Sequence, residues 1–496
     1  MFHKNRLKRC EQAMAKAETY DDWREAAARH DRISGANDWV EDPHSNEYDY
    51  QLIQSRTELM RRLRRDQDVP GLVFCLREEL HGNLGNMANP VLYTHSWLGT
   101  KRLIHDYLDE VVGALEDLRD VEHPDLPIEE KIEFFKRAAQ SFGRSALMLS
   151  GGATLGLFHL GVVRELWEHR LLPRVFSGSS AGSIIASVMG THNDEELNEI
   201  FELGNFDMVW SKLTGFSNML RGEGVLDSRR LKRSIDRNVP RMTFEEAYAH
   251  TSRKMNISVS PADPNQFPRL LNYLTAPNVL VGHAALASAA IPGIFPPVTL
   301  YAKNRDGKSV PHMPHNKWID GSVHNDIPTI HISRKHNVNH FIVSQANPHV
   351  VPFLSKDRER RGIVSFLRQL VVMGPIVQVE HILEAARSHF DVPGLGVLIR
   401  HAHALSSQPY RGDVTIYPNR QFEHWLKTLS NPTPELIDRL VLAGRRATWP
   451  ELARVRNTTR ISNCFDQCLR DLAERTKTVQ TTRVPKLRSV PRQDTA

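Results

Sequence analysis

The sequence is poor in cysteine, in long unbroken apolar runs and in any nucleic-acid signature, and each scarcity removes a class of protein. Its four cysteines among 496 residues, Cys10, Cys75, Cys464 and Cys468, lie toward the two ends without a CxxC spacing. Such usage does not describe a disulfide scaffold or a thiolate zinc centre; Cys464 and Cys468 can share a helix face, and buried free thiols in a reducing compartment are the simpler reading. His312 and His315 are spaced as ligands can be, but no acidic or cysteine partner completes a metal pattern, and no motif calls for a cofactor. No secretory signal is expected, because Met1 to Lys16 is basic and lacks a continuous apolar core. The longest apolar tract, Val279 to Leu300, has the length of a membrane span but carries His283 and breaks at Pro292, Pro296 and Pro297, so it reads as a buried helix followed by a turn. An intracellular, cytoplasmic protein follows. Zinc-finger, RRM and helix-turn-helix signatures are absent, and nucleic acid is not an expected partner.

What is present is ordinary globular material, with 40% hydrophobic and 25% charged residues, enough for two to four domains. The formal net charge is +6, and its clearest local source is the tail, where Arg475, Lys477, Arg483, Lys486, Arg488 and Arg492 face Asp494 alone. Basic segments attract anionic headgroups and nucleic acid alike, and a merely solvated tail is the bland alternative. Four stretches are expected: a helical accessory region over 1–140, an α/β domain over 141–350, a mainly helical extension over 351–475 and a basic disordered tail over 476–496. Helical periodicity runs from Gln51 to Arg64 and from Lys101 to Leu118. Between them and Pro352 strands alternate with helices, with candidates at Ala146–Leu149, Val175–Phe176, Asn256–Val259, Trp318–Ile319 and Phe341–Val343. That alternation predicts a mainly parallel sheet covered on both faces. The periodic stretch Gly362 to Met373 is read as a packing face, with a membrane-docking face beside Arg358, Arg360 and Arg361 as the sharper alternative.

Chemistry concentrates in two glycine clusters. In Gly178-Ser179-Ser180-Ala181-Gly182 the GxSxG pattern puts Ser180 on a tight strand-to-helix turn, with Gly178 and Gly182 letting the backbone bend and leave the hydroxyl available as a nucleophile. Alone the pentapeptide is weak, but an apolar strand precedes it and a helix-forming run from Ser183 to Met189 follows. Upstream, Ser150-Gly151-Gly152-Ala153-Thr154-Leu155-Gly156 also lies between a strand and a helix, that of Leu157 to His169. Its free amides can hold a phosphate or a tetrahedral oxyanion. Leu157 and Phe158 stand where a Walker loop needs GK[ST], and the GxGxxG spacing is missing, so the oxyanion reading is preferred. A third element, Asp320-Gly321-Ser322 after Trp318-Ile319, is by itself an ordinary turn.

The three elements together, in this order, resemble the patatin-like lipases, whose marks are a glycine-rich oxyanion loop, a GxSxG serine and a DG[AGS] aspartate. The likeness extends to Asn278–Pro297 before the aspartate, and in Tyr20-Asp21-Asp22-Trp23, Asn83-Leu84-Gly85-Asn86-Met87 and Gly412-Asp413-Val414 it resembles the fungal and plant triacylglycerol lipases with an N-terminal accessory domain. The resemblance implies a three-layer α/β sandwich flanked by helical N- and C-terminal regions. It implies Ser180 as nucleophile, Asp320 as its base in a dyad without histidine, and an oxyanion hole from the amides of Gly151, Gly152 and Ala153, with Gly156, Gly178, Gly182 and Gly321 as motif glycines. The first loop position is Ser150 where many members have glycine. The implied substrate is a lipid ester, triacylglycerol or phospholipid, met at a membrane or lipid-droplet surface. A Ser-His-Asp triad completed by His324, His331 or a later histidine is the alternative chemistry, while His159 and most other histidines are read as packing or surface residues. A phospholipid-directed hydrolase or transacylase, or a non-catalytic lipid-surface protein, is the alternative function. Oligomeric state is left open.

Overall fold

The computed structural model describes residues 2–203, 228–263, 265–292, 294–347, 350–351, 411–418 and 432–483. The helix expected at Gly362 to Met373 and the tail beyond 483 lie outside the described residues. Contacts divide the chain into two compact units, neither of which is one continuous stretch. One comprises Met1–Ala36, Ser96–Gly99 and Arg144–Arg456, the other Asn37–His95, Thr100–Gly143 and Asn457–Ala496.

The first unit is built on a mixed sheet. Its strands are β1 (Arg144–Leu149), β2 (Val175–Gly178), β3 (Lys254–Pro261), β4 (Arg269–Leu271), β7 (Trp318–Asp320), β8 (Val338–Ser344) and β9 (Val414–Ile416), and β5 (Tyr301–Lys303) with β6 (Ser309–Pro311) forms a separate hairpin. The order is β4-β3-β2-β1-β8-β9, with β7 also on β3. The pairings from β3 through β9 are parallel, whereas β4 and β7 run antiparallel to β3. Alternation along β1 sends Leu147 and Leu149 to one apolar core and Ala146 and Met148 to another. The sheet is therefore buried on both faces, as parallel sheets are. This is the expected α/β sandwich, and all five strand candidates are strands. The three-residue strands β4, β5, β6 and β9 were not expected.

Register places the site. β2 pairs with β3 only as far as Gly178 opposite Ile257, and β7 pairs with β3 from Asp320 opposite Val259 to Trp318 opposite Pro261. Since Val259 also pairs with Arg269 of β4, β7 must lie on the side of β3 that β2 occupies. The chain leaves this lane just after Gly178, at Ser180, and β7 enters the same lane head-on, ending at Asp320.

Two helices lie backbone to backbone behind the glycine loop. Helix Leu157–Glu168 crosses helix Pro434–Thr448 at Gly161 and Gly444: a Cβ on Gly161 would fall 2.0 Å from the Val441 carbonyl oxygen, and one on Gly444 would fall 2.1 Å from that of Phe158. Beside the crossing, the fully buried Glu165 is paired with Arg445. Helices Phe2–Lys16 and Tyr20–Ser34 also belong to this unit. The buried Asp31 accepts from Ser96 Oγ at 2.7 Å and from the Trp97 amide at 2.9 Å, and Tyr20 meets the His169 ring edge-on at 4.5 Å. Val279 to Leu300, the long apolar tract, contains the short buried helix Val281–Ser288, and no helix among the described residues is long and apolar enough to cross a membrane.

The second unit is helical. Helices Tyr50–Arg65, Val69–Glu78, Arg102–Asp120 and Ile128–Phe142, with the distal part of Leu452–Arg483, enclose Ile53, Leu72, Leu108, Val111, Phe135, Phe465 and Leu472. The amphipathic periodicity of Arg102–Asp120 fits, its buried residues Ile104, Leu108, Val111 and Leu115 recurring every three or four positions. Lys101 has no exposed surface; its ammonium donates to the carbonyls of Trp39 and Asp42, both at 2.7 Å, and lies 4.0 Å from the centre of the Trp39 ring. Its three cysteines, Cys75, Cys464 and Cys468, and Cys10 of the first unit are free thiols, Cys464 and Cys468 lying one helical turn apart.

Candidate active site

Ser180 is the pivot. It lies between β2 and helix Ala181–Thr191 with φ 51° and ψ −124°, a combination that a residue with a side chain adopts only when its surroundings enforce it. The turn is enforced by close packing: a Cβ on Gly182 would fall 2.3 Å from the Leu149 carbonyl oxygen, so only glycine lets the helix start against the end of β1. Gly178, at the last residue of β2, packs just as closely on Gly182. The Ser180 amide donates to Ser288 Oγ at 3.0 Å, and the whole residue is only 4% exposed.

Asp320 meets it across the lane. The Ser180 side chain lies close enough to its carboxylate to favour the ionised form, and Ser322 donates to Asp320 Oδ1 twice, from its amide at 2.8 Å and its hydroxyl at 2.7 Å. Burial pushes the Asp320 carboxyl up to about 6 against the opposing pull of Ser180 and of the two Ser322 hydrogen bonds. The same short segment braces both partners: the Ser288 carbonyl accepts from Gly321 at 3.3 Å and the Ala290 carbonyl accepts from Asp320 at 2.9 Å. Gly321 backs onto β3, where a Cβ would lie 2.1 Å from the Ser258 carbonyl oxygen.

The glycine loop closes the third side. A Cβ on Gly151 would lie 3.3 Å from Ser180 Cβ and 3.1 Å from Ser322 Cβ, so the loop backbone runs directly against the serine. Of the three amides assigned to an oxyanion hole, that of Gly151 donates to Asp326 Oδ1 at 2.7 Å. Those of Gly152, which is buried, and Ala153, which has φ 48°, have no partner among the described residues. Gly156, four positions on, lies where a Cβ would strike that of Ala181 at 2.3 Å. Ser150 braces the loop, its hydroxyl donating to the Gly151 carbonyl at 2.8 Å and accepting from the Ala346 amide at 2.9 Å.

The histidines stand apart. His159 is fully buried, with Nε2 2.9 Å from the Ser150 carbonyl and Nδ1 2.7 Å from Ser344 Oγ. A carbonyl only accepts, so Nε2 carries the proton and Nδ1 accepts, and burial pushes the ring down to about 4, holding it neutral. His331 touches Asn325 at 3.4 Å, and the side chain of His324 lies outside the described residues. Among the described residues no histidine is bonded to Ser180 or Asp320, and no group of three or more His, Cys, Asp or Glu could hold a metal. Sequence reasoning missed Ser288, Asp326 and Asn347. A lone serine at a helix end and an Asp or Asn in a polar loop carry no signal until the strand ends are brought together.

A two-face-covered, mainly parallel sheet, with a serine on a strained strand-to-helix turn and an aspartate brought beside it from a facing strand end, is the arrangement of the patatin-like class. Residues 147–331 match the patatin-like phospholipase family, and residues 1–140 match a domain of unknown function, DUF3336. The chain belongs to the patatin-like phospholipase family. It is 33% identical to triacylglycerol lipase ptl3 of Schizosaccharomyces pombe, covering 94% of this chain and 98% of that one. It is 37% identical to triacylglycerol lipase SDP1L of Arabidopsis thaliana over 92% of this chain, and 37% identical to triacylglycerol lipase 4 of Saccharomyces cerevisiae over 89%. The chain spans only 58% and 50% of those two relatives' lengths.

Proposed function

We propose that this protein hydrolyses lipid carboxylic esters through Ser180 and Asp320, releasing fatty acid by way of an acyl-enzyme. The observation that carries the reading is a buried carboxylate brought to the side chain of a strained, buried serine, beside two loop amides that have no partner among the described residues. An unpaired amide in a buried residue such as Gly152 is costly, and an oxyanion would satisfy it. In the first step Asp320 takes the Ser180 proton as Oγ attacks the ester carbonyl; the amides of Gly152 and Ala153 hold the oxyanion, and its collapse expels the alcohol, which takes up that proton. In the second step Asp320 takes a proton from water, the hydroxide attacks the acyl ester, and Ser180 leaves with the proton as fatty acid departs. Triacylglycerol is the preferred substrate on the names of the relatives, and release from triolein and phosphatidylcholine measured side by side tests it. Faster release from phosphatidylcholine would overturn the neutral-lipid choice, and release from neither would overturn the reading.

The base must be ionised to work, so kcat/KM is expected to rise with pH through about 6 and then level. A pH profile with p-nitrophenyl butyrate checks this, and an acid limb near 4, the range of an unperturbed carboxylate, would contradict the buried environment assigned to Asp320.

Peripheral association with a lipid surface is part of the same proposal. Phe267 is 87% exposed, Met313 40% and Val310 37%. Phe267 and Met313 lie beyond the C-terminal end of β3, the end of the sheet that carries Ser180: Phe267 precedes β4, and Met313 Sδ is 3.4 Å from Arg269 Nη1. Arg305, Lys308 and Lys317 punctuate the same stretch. Inserting one large side chain into lipid is worth about 1.5–3 kcal/mol. Phe267→Ser with Met313→Ser is therefore expected to slow hydrolysis of a triolein emulsion about tenfold or more while leaving p-nitrophenyl butyrate hydrolysis unchanged. Equal emulsion rates would remove this edge from the docking surface.

A further inference from the structure

We infer that Asp326 is a positioning residue for acyl transfer, fixing the glycine loop to the serine turn so that the Gly152 and Ala153 amides face the reacting carbonyl. This rests on the Ser180–Asp320 reading and deepens it. Asp326 lies six positions after Asp320, is 2% exposed, and reaches three neighbouring strand ends at once. Its Oδ1 accepts from the Gly151 amide at 2.7 Å, at the end of β1. Its main-chain carbonyl accepts from Ser179 Oγ at 2.8 Å, in the residue before the nucleophile at the end of β2. Its Oδ2 accepts from Asn347 Nδ2, beyond β8.

The geometry separates this role from general support of the core. Gly151 is the loop residue whose backbone runs against Ser180, and the two amides that follow it are those without partners among the described residues. An oxyanion donor is useful only within about 2.7–3.1 Å of the developing charge. A loop that drifts by about 1 Å when its Gly151 anchor is lost therefore loses catalysis on the order of a hundredfold. The Gly151 amide would then be free, but at the wrong place. Burial and the nearby Asp320 charge push the Asp326 carboxyl up to about 7, so the site holds two costly buried acids side by side.

Steady-state kinetics with p-nitrophenyl butyrate, together with the rate of fluorophosphonate labelling of Ser180, test the inference. Asp326→Ala is expected to lower kcat roughly 10- to 100-fold with KM changed by less than about twofold, and to slow labelling in parallel. Asp326→Asn retains an acceptor for Gly151, with the Asn347 amide turning to meet it, and is expected to recover to within about fivefold of wild type. A folded Asp326→Ala protein with wild-type kcat overturns the inference, and so does an Asp326→Asn protein as slow as the alanine variant, which would assign the effect to charge. If the alanine variant does not fold, Asp326→Glu decides: it keeps the acid but displaces it by one methylene, so an unchanged kcat overturns the role of reach and a fall of about tenfold or more supports it. Wild type that neither labels nor turns over would sink the hydrolase reading itself, which separates the two failures.

Discussion

Ser180→Ala is expected to reduce fatty acid release to background and to abolish fluorophosphonate labelling, a loss of about ten-thousand-fold or more. Asp320→Asn is expected to lose activity on the same scale, because an amide cannot accept the serine proton in either half-reaction. Residual activity near wild type in Asp320→Asn would hand the base role to a histidine.

The asparagine variant carries a second expected result of opposite sign. Asp320 is held at about 6 in the folded chain against an ordinary value of 3.8. A folded value above the unfolded one gives stability that is fully present below about 3.8 and lost as pH rises through about 6. At pH 8 the difference amounts to about 3 kcal/mol against the native state. Asparagine keeps the acceptor for both Ser322 donors and never ionises. Asp320→Asn should therefore melt higher than wild type at pH 8, with the gap closing toward pH 4. A variant that is dead and less stable at pH 8 would mean that Asp320 is chiefly a structural acceptor. Loss of activity with gain of stability is the signature of a group whose burial serves chemistry.

The candidate site was legible in the sequence where its parts are local. A strand, a sharp turn and a helix around Ser180 are written in consecutive residues, and no side chain fits at Gly182, which packs on the end of β1, or at Gly178, which packs on the start of the helix. The DG turn at Asp320 was ambiguous in isolation, since what gives it meaning is the lane beside β3 that it shares with Ser180. Anchors set by long-range topology left no local trace: Ser288 and Asp326 act through strand ends that meet only after folding. The same is true of the units themselves. Helices Phe2–Lys16 and Tyr20–Ser34 pack with the α/β unit, and Phe465 and Leu472 complete a core begun near Ile53. Helical periodicity tells which face is apolar, but not which distant element covers it.

Gly444→Ala is expected to destabilise the chain by about 3 kcal/mol or more, read as a lower melting temperature. Helix propensity alone argues the reverse, since alanine in place of glycine inside a helix gains about 1 kcal/mol. Packing decides the sign. The new methyl would lie 2.1 Å from the Phe158 carbonyl oxygen, a backbone atom in helix Leu157–Glu168 that no rotamer change can move. The two helices must separate, loosening the buried Glu165–Arg445 pair and Leu157 and Phe158 just behind the glycine loop. Activity should fall with stability, and more steeply than stability alone explains, because the loop follows its helix. Gly113→Ala is the control within helix Arg102–Asp120: there the methyl would meet the Arg64 guanidinium at 2.5 Å, the far end of a flexible, partly exposed side chain. That variant should range from unchanged to about 1 kcal/mol more stable. If both alanines stabilise, the backbone-to-backbone crossing at Gly161 and Gly444 is looser than the distances indicate; if only Gly444→Ala destabilises, the helix after Thr433 is an integral wall of the catalytic unit.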